Sequence, residues 1–421
     1  MENEKKVVNN ANIRKSDPTD MLKKNAMLIV LVLVYIFFMI MTKGNMFRAT
    51  KFRALIEQNA YVYILGCGML MCMLTGGNID LSCGAVVCLF GALGGVFMVI
   101  WDWGATWYGT IGSLLLMLAV GVLYGCGLGA LIAYVHVPPW IATLAGYLAF
   151  RGLGTQILGI TKPEEAAEAA AGTVSKVSTG SISDFPKLFK DIFNGTLFRT
   201  PDNQLNIPCM IVGIIAAALV VMLIFRNRSV RIKKGYEVDA YEMDVARAVL
   251  SASAILLVMY KLAMAGGIPT VLIWVAAVVL IYSFITGKTT IGRHFYVVGG
   301  NIEAARLSGV NTRRIMFLAY LNMAILSTIA TMTTVARLHT AGSTNGKNFE
   351  MDAISACVVG GVSASGGAGT VLGMVIGATL IGVINLGMNE VNLDTNWQRV
   401  VKGLVLLGAV VFDILSKKKA K

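Results

Sequence analysis

Uninterrupted apolar runs, each about as long as a bilayer is thick, constrain this chain more than any other feature. The first, Ala26–Met41, holds no charged residue. Others follow over 55–74, 84–101, 110–134, 140–158, 207–225, 249–264, 269–285, 315–335, 371–388 and 397–415. A helix needs about 20 apolar residues to cross a hydrocarbon core of about 30 Å. Of the 421 residues 56% are hydrophobic and only 14% charged, against about 25% charged in soluble domains. A soluble enzyme, a disordered chain and a disulfide scaffold are therefore excluded. The expected fold class is an all-α polytopic integral membrane protein with ten to twelve hydrophobic segments.

Lys and Arg number 36 and Asp and Glu 23, a formal net charge of +13. The cations crowd into a few loops and both tails, as on the cytoplasmic side of a membrane protein. They mark topology and call for no nucleic-acid partner. The tail 1–25 carries Lys5, Lys6, Arg14, Lys15, Lys23 and Lys24, and the tail 417–421 is basic too, so both termini are expected in the cytoplasm around a membrane domain over 26–416. Two internal stretches join them. One is a basic loop over 226–247 with Arg226, Arg228, Arg231, Lys233 and Lys234. The other, over 287–314, holds Lys288, Arg293, Arg306, Arg313 and Arg314. Lys43, Arg48, Lys51 and Arg53 fall on the opposite side and violate the pattern. The run 351–361 is too short to span, since at 1.5 Å per residue it reaches about half of the core.

The polar stretch 161–206 lies outside in this scheme, as either a docking rim or an unattached insertion. The aromatics Trp101, Trp103, Trp107, Trp140 and Trp397 fit an interfacial belt. Gly121, Gly125 and Gly129 recur every fourth residue, a ladder that lets a neighbouring helix approach closely. The seven cysteines lie in or beside apolar runs and read as small buried hydrophobes.

Motifs for soluble chemistry fail on context. Gly125-Cys126-Gly127-Leu128-Gly129-Ala130 matches a dinucleotide fingerprint, but within a spanning helix and with no βαβ unit. Gly287-Lys288-Thr289 resembles the end of a phosphate loop, yet Tyr282 stands where its earlier glycine belongs. His136, His294 and His339 are scattered, and neither a zinc pattern nor a nucleophile elbow is present. The chain is expected to have no catalytic site, to hold no metal and to bind no cofactor of its own.

Three segments remain. Thr75-Gly76-Gly77-Asn78-Ile79-Asp80-Leu81-Ser82 and Val358–Thr370, which contains Ser363, Ser365, Gly366 and Gly367, each break apolar sequence with glycine. Broken segments in two halves of a transporter point to the translocation path, because unwound backbone survives at membrane depth only when buried or lining a wet cavity. Asn78, Asp80, Ser82, Ser363, Ser365, Gly366 and Gly367 are thus path candidates. Asp80 can equally cap a helix starting near Ser82, and the serine loop can equally serve packing. The third segment is Gly299–Val310. Asn301 can cap a short helix, Glu303 suits its first turn and Gly309 can end it, which makes a rigid peg between two spans.

The segments Asn78–Ser82, Gly292-Arg293-His294, Gly299-Gly300-Asn301, Leu307-Ser308-Gly309-Val310, Met351-Asp352-Ala353-Ile354, Val359-Gly360-Gly361 and Gly369–Gly373 occur here in order. With them the chain resembles the permeases of monosaccharide ABC importers of the ribose, galactose and xylose types. The stretch Asn396-Trp397-Gln398-Arg399-Val400-Val401-Lys402-Gly403-Leu404 is most similar to the xylose and multiple-monosaccharide branch. The resemblance implies the pore subunit of an importer in the bacterial cytoplasmic membrane. Its partners would be an ATPase with sugar-type cassettes, which uses ATP and Mg, an extracytoplasmic sugar-binding protein, and a second permease copy as a homodimer within membrane lipid. Gly300, Asn301, Glu303, Ala304, Ala305, Arg306, Ser308 and Gly309 would engage the ATPase. A related importer for branched-chain amino acids, an ion-coupled secondary transporter and a non-transporting scaffold are the rival readings. The second calls for ion or proton ligands at the broken helices, where Asp80 is the only candidate and lies alone, and for an intramembrane carboxylate pair, which is not expected here.

Overall fold

A computed structural model of the chain describes residues 13–14, 26–160, 180–201 and 204–419. The basic residues Lys5, Lys6, Lys15, Lys23, Lys24 and Lys421, and the mixed-charge stretch 161–179, lie outside the described residues. A two-residue strand β1, Ile13–Arg14, precedes helices α1 (Ala26–Met41), α2 (Ala49–Leu74), α3 (Cys83–Gly95), α4 (Trp107–Ala133) and α5 (Pro139–Ile157). Strand β2 (Ser181–Ser183), helix α6 (Lys187–Asn194) and strand β3 (Thr196–Leu197) follow. Then come α7 (Ile207–Lys233), β4 (Val238–Asp239), α8 (Tyr241–Met264), β5 (Ile268–Pro269) and α9 (Thr270–Lys288). The chain closes with α10 (Thr290–Gly300), α11 (Ile302–Leu307), α12 (Thr312–Leu338), β6 (Thr340–Gly342), α13 (Phe349–Val359), α14 (Val371–Glu390) and α15 (Thr395–Lys419).

These helices start where short polar side chains can take an orphan N–H. Thr106 accepts from Gly109, Asn206 from Cys209, Asn311 from Arg314 and Thr370 from Gly373. Seven of the described helices are long and apolar enough to cross a membrane: α3 with the π turn that extends it to Ile100, α4, α7, α8, α9, α12 and α14. The protein is a multi-pass helical membrane protein. The apolar run Ala26–Met41 keeps its expected bounds, and the short run 351–361 falls mostly within the 11-residue α13, Phe349–Val359.

The expected loop over 226–247 is largely helix. α7 continues to Lys233 and α8 begins at Tyr241, so Arg226, Arg228, Arg231 and Lys233 ride on the last turns of α7. Long basic side chains are good helix formers, and at this end they complement the helix dipole. Arg228 pairs with the largely buried Asp244 of α8.

The chain divides into two compact units. In the smaller, Met39–Ala54 joins Thr196–Pro269, and α7 packs lengthwise on α8. The positive-side violation finds its reason there. Arg53 donates to the carbonyl of Ala265, just past the end of α8, at 2.9 Å and to Thr196 Oγ1 at 2.6 Å. Lys261 donates to the Phe47 carbonyl at 2.8 Å and lies 3.4 Å from its ring centroid.

The larger unit holds Leu55–Gly195 and Thr270–Lys421. Its centre is α3, with 89% of its span buried, against 17% for α7 and for α8. The glycine ladder of α4 lies on α12: an added methyl at Gly125 would come 2.8 Å from Ala324 Cβ, and one at Gly129 2.9 Å from the Phe317 carbonyl. Outside the spans, β2 pairs antiparallel with β6. Phe185, Phe189 and Phe193 are buried, Phe193 stacks on Trp274 at 5.0 Å, and Trp274 Nε1 donates to Ile192 O at 3.0 Å. Residues 180–195 are therefore pinned to the unit and are not an unattached insertion. The five expected belt tryptophans are all exposed, by 41–71%.

Candidate translocation and coupling site

α2 ends at Leu74 because Gly76 and Gly77 follow with φ of +114° and +73°, a region that glycine enters without a steric penalty. Asn78 Nδ2 then donates back to Thr75 O at 3.0 Å. Asp80 is 1% exposed and Ser82 fully buried. Asp80 Oδ1 accepts from Ser82 N at 2.8 Å and from Ser82 Oγ, and Ser82 Oγ contacts the Tyr124 hydroxyl. Asp80 is thus not the N-cap of α3. That position belongs to Ser82, which makes no capping bond of its own. A carboxylate two residues ahead of an N–H closes an Asx turn instead.

The second break follows α13. Gly361, Gly366, Gly367 and Gly369 have φ of +83°, +86°, +72° and +149°. Ser363 N donates to Ala368 O at 2.8 Å, and Ser363 Oγ bonds Ser365 Oγ at 3.0 Å and accepts from Ser365 N at 3.2 Å. Ser363 is 3% exposed, whereas Ser365 is open to the surface and Gly366 and Gly367 are half-buried. Of the path candidates, Asn78, Ser365, Gly366 and Gly367 retain exposure. Asp80, Ser82 and Ser363 are sealed in this conformation.

The two breaks meet each other. A methyl on Gly77 would run into the Ala364 carbonyl and one on Gly366 into the Gly76 backbone. The peg reaches the same place. Asn301 Oδ1 accepts from Ala304 N at 3.0 Å, Glu303 sits in the first turn of α11, and Gly309 at φ +79° turns the chain away. Ala305 is fully buried and seats the helix. Asn301, Glu303, Ala304, Arg306, Ser308 and Gly309 are all exposed, with Leu307 87% and Ile302 50% exposed beside them. Behind the peg, Gly300 lies against Gly367.

One expectation is corrected. Asp80 is not the only buried carboxylate: Glu350 and Asp352 of α13 are 4% and 3% exposed. Asp352 is held by Lys402 at 2.9 Å and by the Tyr61 hydroxyl at 2.6 Å, and Tyr61 stacks on Phe349 at 3.5 Å. Glu350 Oε2 has no hydrogen-bond partner among the described residues. Nearby, Arg151 of α5 donates to Ser343 O at 3.0 Å, Asn345 O at 2.7 Å and Gly84 O at 3.4 Å. A short helix hid the carboxylates, because a non-spanning segment raised no alarm over charge. The available signal was a cation within an apolar run, Arg151 in 140–158 and Lys402 in 397–415, since such cations seek buried partners.

A family described as the permease component of branched-chain amino acid transport systems matches residues 52–410. The xylose transport system permease protein of Haemophilus influenzae is 34% identical over 93% of this chain and 96% of its own length. That of Escherichia coli is 30% identical over 94% and 92%. The ribose import permease protein of Bacillus subtilis is 40% identical over 35% of this chain and 46% of its own. No solved structure matches the chain.

Proposed function

Because the chain belongs to the branched-chain amino acid transport system permease family, we propose that it forms the membrane pore of an ATP-driven importer for monosaccharides. The observation that carries this reading is its similarity to a xylose permease along nearly the whole of both chains. Pentoses such as xylose or arabinose and hexoses such as galactose or glucose are the cargo class. ATP and Mg belong to a partner ATPase with sugar-type cassettes. The peg, capped, charged and carrying an exposed leucine, has the form of a docking element for that ATPase. A sugar-binding protein delivers the cargo from the far side, and a second copy of the chain completes the pore. The basic clusters support a topology with both termini in the bacterial cytoplasm and the spans in the inner membrane.

Transport then works by exchange of access. The path is shut where Gly77 packs on Ala364 and where Asp80, Ser82 and Tyr124 fill the first break. ATP binding on the partner at the peg must favour a conformation that parts these contacts, which is a coupling free energy between the nucleotide site and the path. Vesicles holding the permease, its ATPase and its binding protein test the reading. Labelled xylose or another pentose should accumulate with ATP. The family description favours one rival, so leucine is the comparison cargo: accumulation of leucine and of no sugar would transfer the protein to that rival.

A further inference from the structure

Gly299 has a position that docking alone does not explain. It is the penultimate residue of α10, three residues before α11 begins, and a methyl there would overlap the carbonyl of Leu74 and lie 2.6 Å from Gly367 N. Leu74 is the last residue of α2, so its carbonyl is one that its own helix leaves unpaired. Gly367 N donates to that carbonyl at 3.2 Å. A methyl on Gly367 would in turn come 2.8 Å from Gly300 N. One amide of the second break, the closing carbonyl of the helix before the first break, and the base of the peg therefore share one point. A second tie runs from Tyr296 of α10, whose hydroxyl donates to Gly369 O at 3.0 Å. α10 is itself seated by buried Phe295 and Val298.

We propose that Gly299 and Tyr296 are positioning residues of the transport cycle, forming a joint that moves both broken segments whenever α11 moves. The reason is mechanical. Where side chains separate two elements, rotamer changes absorb a small displacement. Here backbone lies on backbone, and close-packed interiors pass such shifts on. The Gly77–Ala364 and Gly366–Gly76 contacts continue the chain from this joint into the closure. The inference rests on the importer reading for its driving force and adds to it the place where that force enters the pore.

The test uses the full permease with its ATPase and binding protein in vesicles. Gly299→Ala wedges the joint, and Tyr296→Phe removes one tie without adding volume. Gly127→Ala, whose methyl meets open space, controls for glycine loss as such. With ATPase co-purification retained, Gly299→Ala should raise the ATP spent per sugar by about tenfold or more. Tyr296→Phe should raise it by about fivefold, the worth of one hydrogen bond. Tyr296→Phe decides alone if Gly299→Ala is not recovered. A readout that needs no import is the thiol labelling of Ser365→Cys without the native cysteines. Its rate should change when the ATPase binds a non-hydrolysable nucleotide, and the joint variants should lose that change. Wild-type coupling ratios with a normal labelling response in the variants would overturn the joint, as would a Ser365→Cys that never responds. A normal response without uptake of any sugar would instead count against the importer reading alone.

Discussion

In the break over 75–82 a buried carboxylate closes the chain, whereas over 360–370 the backbone closes on itself through left-handed glycines. Asp80 satisfies the amide and hydroxyl of Ser82, and Tyr124 covers them from α4. The second break has no charged side chain. Its polar side chains are Ser363, Ser365 and Thr370, and four glycines take the positive φ that other residues would enter only with strain. The difference teaches that one architectural problem, unwound backbone inside a membrane domain, has two solutions with opposite weaknesses. A side-chain plug is vulnerable to deletion of a polar atom. A glycine closure is vulnerable to the addition of a single carbon.

The sharpest way to break this contrast is Gly366→Ala. It forces a methyl into the left-handed region and onto Gly76, at a cost of about 3 kcal/mol from strain and overpacking together. Thermal unfolding of the detergent-purified protein should show the largest drop of the series, and an unchanged midpoint would remove the glycine half of the comparison. Asp80→Ala comes next. It strands a buried N–H and a buried hydroxyl at about 2 kcal/mol, and Asp80→Asn should recover part of the loss in the same assay. If Asp80→Ala were neutral, the first break would not depend on its carboxylate. Tyr124→Phe removes one hydroxyl from the network and should cost about 1 kcal/mol, read as a smaller shift in the same direction. Ser363→Ala should cost the least, about 0.5 kcal/mol, because the Ala368 carbonyl bond is made by the backbone and survives. A loss at Ser363 as great as that at Asp80 would show that both breaks are closed by side chains.

The peg and the glycine ladder were legible because their signals are local. Asn301, Glu303 and Gly309 lie within one short helix, and a cap reports on the amide three residues away. Gly121, Gly125 and Gly129 share one helix face by periodicity alone. Of the two readings open for Asp80, the cap differs from the structure by a small margin: an Asx turn and an N-cap use the same residue types and differ only in which amide is bonded. Glu350 and Asp352 were missed for a larger reason. Their burial depends on how α13 is seated, and Asp352 on Tyr61 and Lys402, neither of which is near it in sequence. Arg53 looked like a topological error until its partner appeared at the end of α8.

Length and apolarity by themselves determined that this chain is a bundle of membrane helices, and where most of those helices lie. Each is stabilised by bonds within its own backbone, and each boundary follows from nearby residues. Glycines marked where the chain could leave helical geometry, but a residue without a side chain carries no mark of its partner. That Leu74, Gly299 and Gly367 meet at one point was decided only by the tertiary structure. Buried carbonyls and amides must find partners wherever the packing of whole helices brings them, and that packing is a property of the assembled unit.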